Sequence, residues 1–227
     1  MPVNQLALYG LSKDLLLNVP NLGWVHREVL ADLENLRAAA KQAGFQLSIF
    51  SGYRDFQRQL TIWNNKWNGL RPVLDADSKQ IDTSTLSKQQ KMHAILRWSA
   101  LPGASRHHWG CDFDLYDPSL LKPDQSLELI PQEYAANGCQ HPFALWLEQH
   151  APQHGFFYPY HHFQGGVEFE PWHLSHWQTS SMLISQLEPQ AVLSHLKAAN
   201  VAGFATIEKH IDQLFNQYVT NICLPES

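Results

Sequence analysis

Two short segments constrain this chain more than any other part of it: SRHHWGCDFD at 105–114 and EPWH at 170–173. Between them they hold two imidazoles, His107 and His173, and a carboxylate, Asp114. A second carboxylate, Glu170, stands three residues before the later imidazole. Two neutral imidazoles and one carboxylate are the protein ligands of an open catalytic zinc site, which keeps a position for water. Water at such a site needs a base beside it, and Glu170 is placed to be one. Any fold that uses this set must bring two distant stretches together.

The remainder reads as alternating helices and strands. Over 25–43, Val29, Leu33, Leu36 and Ala40 recur every three or four residues and Gly44 follows, so the spacing predicts an amphipathic helix with a glycine stop. Phe45, Leu47 and Ile49 then alternate up to Gly52, which predicts a strand, expected to be central in its sheet. Phe56, Leu60, Trp63 and Trp67 return to helical spacing, leaving Arg54 at a strand-to-helix junction. The stretch 71–84 is polar and aperiodic and reads as an exposed loop. A helix is expected near 87–98, ended by Pro102 and Gly103. CDFDLYD alternates as a strand, so His107 falls just before it and Asp114 on it.

Positions 118–138 show no period and read as an insertion, and 142–150 as a short helix. In GVEFE, Val167 and Phe169 oppose Glu168 and Glu170, which predicts a strand with both carboxylates on one side. Pro171 biases Glu170 toward extended backbone and argues against a helical ExxH. Beyond Trp177, 189–200 and 206–218 are helical, the second with Ile207, Ile211, Leu214, Phe215 and Tyr218 on one face. We therefore expect a catalytic domain at 1–178 with a helical extension, 179–227, packed on it.

Charge and cysteine content narrow the functional classes. With 16 Lys+Arg against 21 Asp+Glu the formal charge is -5, and the basic residues form no run, so no nucleic-acid partner is expected. Cys111, Cys139 and Cys223 make an odd count without a CxxC pair, which excludes a disulfide framework and a thiolate zinc site. The first residues lack the basic start and long apolar run of a secretion signal or membrane anchor. The expected location is cytoplasmic as written, or periplasmic if a leader is missing.

The motifs carry a resemblance. Ser105, His107, Gly110 and Asp114 stand as S-x-H-x-x-G-x-x-x-D, followed by E-P-W-H, and Ser51-Gly52-Tyr53-Arg54 resembles S-G-[YF]-R upstream. Together they resemble the zinc D-alanyl-D-alanine carboxypeptidases and dipeptidases, the group that includes vancomycin-resistance enzymes and endolysin peptidases, over about 45–176. The resemblance implies zinc bound by His107, Asp114 and His173, and Glu170 as general base and later acid. It implies Arg54 on the oxygen that becomes negative or on the substrate's terminal carboxylate. Arginine suits either task because its fork stays charged and grips oxygen pairs.

Ser105, Gln57 and Trp172 are the further substrate-binding candidates. Gln57 lies one turn after Arg54, and Trp172 is either pocket wall or core. His108, His161, His162 and His176 are not expected to be ligands, although His176 is a candidate to support His173. Two positions depart from the family pattern. Asp112 stands where a small apolar residue is usual, either competing as a ligand or hydrogen-bonding one, and Trp109 is expected to narrow the entrance.

The fold expected is α+β, a small, mostly antiparallel sheet flanked by helices, as in hedgehog-like and D-Ala-D-Ala peptidases, with a C-terminal helical tail. The function implied is zinc-dependent D,D-carboxypeptidase action on peptidoglycan stem peptides. The alternatives are an L,D-carboxypeptidase, an endolysin-type endopeptidase, a non-haem iron oxygenase, whose facial triad is also two His and a carboxylate, or a metal-stabilised binding module.

Overall fold

The structure, a computed structural model, describes residues 5–225. The chain opens with a short helix α1 (Gln5–Leu8) and a hairpin of β1 (Leu16–Val19) and β2 (Gly23–His26), then α2 (Leu30–Gln42), β3 (Ser48–Ser51) and α3 (Phe56–Trp67). A small hairpin, β4 (Val73–Leu74) with β5 (Gln80–Ile81), leads to α4 (Lys88–Leu96) and β6 (Asp112–Tyr116). After α5 (Pro131–Tyr134), α6 (His141–His150) and β7 (Phe156–Phe157) come β8 (His173–His176), α7 (Trp177–Ile184), α8 (Pro189–Ala198) and α9 (Phe204–Leu214).

The expected stripe of the first long helix is buried: Val29, Leu33, Leu36 and Ala40 have no exposed surface. Side chains fix where helices begin. Asp55 accepts a hydrogen bond from the Arg58 amide at the start of α3, and Ser87 with Gln90 forms a reciprocal capping box on α4.

The main sheet has the order β3-β6-β8-β7, every pair antiparallel. This is the α+β architecture the sequence predicts, with helices around a small antiparallel sheet. Two details differ. β3 is an edge strand, not a central one, with Phe50 half exposed on it. Alternation records which face is buried and is silent about neighbours on either side. The stretch 71–84 contains the β4-β5 hairpin, whose turn is closed by Asp75 accepting from the amides of Asp77 and Lys79.

GVEFE is not a strand. Its backbone makes isolated bonds, from the Glu168 amide to the Arg97 carbonyl and from the Glu170 amide to the Tyr160 carbonyl. Glu168 pairs with Arg97, and Gln217 and Asn221 donate to the carbonyls of Gly165 and Gln164. The segment is thus tied to α4 and to the end of the chain, and the strand starts at His173.

One apolar cluster runs from Leu8 through the sheet to Val219. α9 buries Ile207, Ile211 and Leu214, then passes into a π-helical turn, Phe215–Val219. The connection between α8 and α9 rests on α3: Trp63 Nε1 donates to the Ala202 carbonyl at 2.9 Å, and Asn64 accepts from the Ala202 amide at 2.9 Å. Among the described residues no helix is long and apolar enough to cross a membrane.

Candidate metal centre

Strand pairing brings the two motifs together. In the β6-β8 ladder Asp114 lies directly opposite His173, where cross-strand side chains stand side by side. His107 arrives from a 3₁₀ turn, Arg106–Trp109, ahead of β6. That turn ends at Gly110 in the left-handed region, φ 66°, where an added Cβ would lie 2.7 Å from Leu16 Cδ2 and 3.1 Å from the His26 amide nitrogen. The SGYR segment closes the third side. The Arg54 amide donates to the His107 carbonyl at 2.9 Å, and His107 Nδ1 donates to the Gly52 carbonyl at 2.9 Å.

These partners fix both tautomers. A carbonyl only accepts, so His107 carries its proton on Nδ1 and turns a lone pair at Nε2 inward, 3.5 Å from Asp114 Oδ2. His173 Nε2 lies 3.0 Å from Asp112 Oδ1, which also only accepts, so its inward lone pair is at Nδ1. Nδ1 is 3.1 Å from Asp114 Oδ1 and 3.4 Å from Glu170 Oε2. Asp114 Oδ1 is buried without a hydrogen-bond partner. One ligand atom from each of His107, Asp114 and His173 falls within 4.8 Å of the others.

Two lone pairs and an unpartnered carboxylate oxygen converging in a buried space repel one another unless a cation lies between them, so the donor set fits a divalent ion. Imidazole and carboxylate are zinc ligands at about 2.0–2.2 Å. The ionisation tendencies agree. Burial pushes the His107 imidazole down to about 3, keeping it neutral. Burial opposes charge on His173 too, but Asp112, Asp114 and Glu170 outweigh it and hold this imidazole well above its usual range. Such a seat draws in a proton or a metal dication.

Behind these three residues lies a network that sequence patterns do not reveal. Asp112, fully buried, receives Arg106 Nε at 2.6 Å, and Arg106 also donates to Ser175. Asp112 therefore orients His173, as carboxylates behind metal-binding histidines do, and Arg106 balances its charge. Of the two roles expected for Asp112, it takes the hydrogen-bonding one.

Glu170 faces the centre from the turn that precedes β8, closed by the His173 amide donating to the Glu170 carbonyl at 3.1 Å. Its ExxH is thus not helical, as Pro171 requires. Burial raises the Glu170 carboxyl. Arg54 is held by Gln59 Oε1 at 2.8 Å and Ser51 Oγ at 3.0 Å. A cavity of about 250 Å³ opens over the centre, with Arg54, Ser105, Tyr160, Glu170 and Trp172 in its walls.

Other sequence candidates are placed as follows. Ser105 is buried in the cavity wall. Trp172, 4% exposed, is wall and core at once, stacked on Trp98 at 6.3 Å. Gln57 is exposed on the outer face of α3, because helical geometry turns position 59 inward instead; the buried Gln59, absent from the sequence candidates, holds Arg54. Trp109 does not narrow the entrance: it is buried and donates to the Leu8 carbonyl at 3.0 Å. His108 is spent on the Gly103 amide and the Arg54 carbonyl. His176 caps α7 and meets Asp32 at 3.1 Å, so it does not support His173.

Comparison with known proteins agrees with this geometry. An uncharacterised protein of Haemophilus influenzae is 33% identical over 121 residues, covering 52% of this chain and 92% of that protein. Among solved structures, VanYB in complex with D-alanine-D-alanine superposes with TM-score 0.52 at 18% identity, covering 85% of this chain and 87% of the other. A vancomycin-resistance D,D-pentapeptidase VanY in complex with Zn(II) gives TM-score 0.51 at 20% identity, over 75% and 84%. The family model for VanY D-alanyl-D-alanine carboxypeptidase matches residues 23–179. With its three motifs gathered at one buried centre, the chain belongs to the VanY D-alanyl-D-alanine carboxypeptidase family.

Proposed function

We propose that this protein is a zinc-dependent D,D-carboxypeptidase that hydrolyses the terminal peptide bond of peptidoglycan stem peptides and releases D-alanine. The observation that carries the reading is the inward convergence of His107 Nε2, His173 Nδ1 and Asp114 beside Glu170. His107, Asp114 and His173 would hold the ion. When bound, zinc supplies Lewis acidity toward water and toward the scissile carbonyl oxygen. Glu170 takes a proton from the attacking water as its oxygen bonds to the carbonyl carbon. The same carboxyl then gives that proton to the leaving nitrogen as the C–N bond breaks. Arg54, rigidly held by Gln59 and Ser51, presents a fixed positive charge to the oxygen that becomes negative. Trp172, Trp98 and Tyr160 wall the site with rings that limit water around the peptide.

A non-haem iron oxygenase would use the same three ligands, but it has no task for Glu170, and family membership favours hydrolysis. The test is Glu170→Ala. Zinc content, measured by atomic absorption, is expected to stay near one per chain while kcat falls about 100- to 10,000-fold. Retained cleavage would remove Glu170 from the mechanism. Mass spectrometry of the amino acid released from pentapeptide and tetrapeptide stems separates D,D- from L,D-cleavage.

A further inference from the structure

The proposed reaction leaves one cation of the cavity unused. Lys66 lies seven residues beyond Gln59 on α3, two helical turns along the same face, and helical side chains lean back toward the N-terminus. Its ammonium therefore returns toward Arg54 and joins the cavity wall. There it donates to Ser99 Oγ at 2.6 Å. Among the described residues no carboxylate lies within ion-pair distance of it. Burial, then the charges of Arg71 and Arg54, push the amine down to about 8. A half-buried ammonium with a single neutral partner is costly unless an anion from outside completes it.

The two cations differ in what surrounds them. Glu170 favours both charges, but Asp114 leads those that favour Arg54 and does not figure for Lys66, on which Arg71 and Arg54 are foremost. Arg54 is tied to the centre by its amide on the His107 carbonyl, whereas Lys66 is held by Ser99 in the wall of the same cavity. In a carboxypeptidase substrate the scissile carbonyl is followed by a single residue, so the terminal carboxylate lies about one Cα–Cα step, roughly 3.8 Å, further along the chain. We propose that Lys66 Nζ and Ser99 Oγ seat the substrate's C-terminal carboxylate, which frees Arg54 for the carbonyl oxygen and makes the enzyme selective for chain ends. This rests on the carboxypeptidase reading above.

The bland role for Lys66 is to fasten the strap that carries Ser99, since Gln59 also donates to the next carbonyl, that of Ala100. Kinetics separates the two. Zinc-loaded full-length protein is assayed on an acylated L-Lys-D-Ala-D-Ala peptide and on its C-terminal amide, with wild type, Lys66→Met, Lys66→Arg and Ser99→Ala. Removing a hydrogen bond to a charged group predicts a loss of about 100-fold in kcat/KM on the free acid for Lys66→Met, mostly in KM. The amide should be unaffected, Lys66→Arg should recover part of the loss, and Ser99→Ala should raise KM for the acid alone. Equal losses on acid and amide, or none, would overturn the carboxylate seat. Calorimetric binding of D-alanyl-D-alanine and its amide supplies the second readout. Wild type that cleaves neither peptide but binds the acid through Lys66 would sink the reaction and keep the seat; cleavage with an intact acid preference in Lys66→Met would do the reverse.

Discussion

His173 is gripped from both sides, by Asp112 at Nε2 and by the inward carboxylates at Nδ1. An imidazole so oriented arrives at a metal with its lone pair already aimed, and the residue behind it tunes affinity. Asp112→Asn is therefore expected to weaken zinc binding about 10- to 100-fold in chelator competition. Unchanged affinity would reduce the Asp112–Arg106 pair to packing. The gathering of His107, Asp114, His173 and Glu170 at one centre is legible as residue types at family spacing. Gln59 and the Arg106–Asp112–Ser175 network are not, because a buried hydrogen bond leaves no period in the sequence, and α3 carries two glutamines that differ only in the side they face. Lys66 is equally silent: a lysine on a helix normally signals solvent.

At the scale of elements, the site depends on how β6 and β8 register and on the 3₁₀ turn that feeds them. Gly110 ends that turn where any side chain must accept positive φ and strike Leu16. Gly110→Ala is expected to cost about 2–4 kcal/mol in urea unfolding. A cost below about 0.5 kcal/mol would show that the turn relaxes freely. Helices α2 and α3 were readable because their apolar stripes repeat the same message over many residues, although the helix expected from Val25 starts only at Leu30, since Val25 and His26 pair in β2 and no side chain caps α2. The strand HLSH was not, since all four of its residues are buried and it has no alternation to display. GVEFE alternated and yet stayed irregular, because Glu168 found Arg97 and the neighbouring carbonyls found Gln217 and Asn221. Alternation is a necessary signal for a half-buried strand, not a sufficient one.

Taken as a whole, the molecule braces its site from behind. The connection after α8 is hydrogen-bonded to Trp63 and Asn64, on the same helix that holds Gln59 and Lys66. Gly203, at φ 78°, lies so close to the Trp67 ring that an added Cβ would stand 2.4 Å from it. Ile207→Ala, emptying a fully buried position of α9, is expected to lower stability by about 2–5 kcal/mol. It should shift one cooperative denaturation curve; two separate transitions would mean that the C-terminal helices fold apart from the centre. The most direct test of the whole account is titration of chelator-stripped protein with zinc while D-alanine release from a pentapeptide stem is followed. Activity is predicted to be absent without metal, to rise in proportion to zinc and to level off at one ion per chain. Cleavage that persists in fully stripped protein would contradict it.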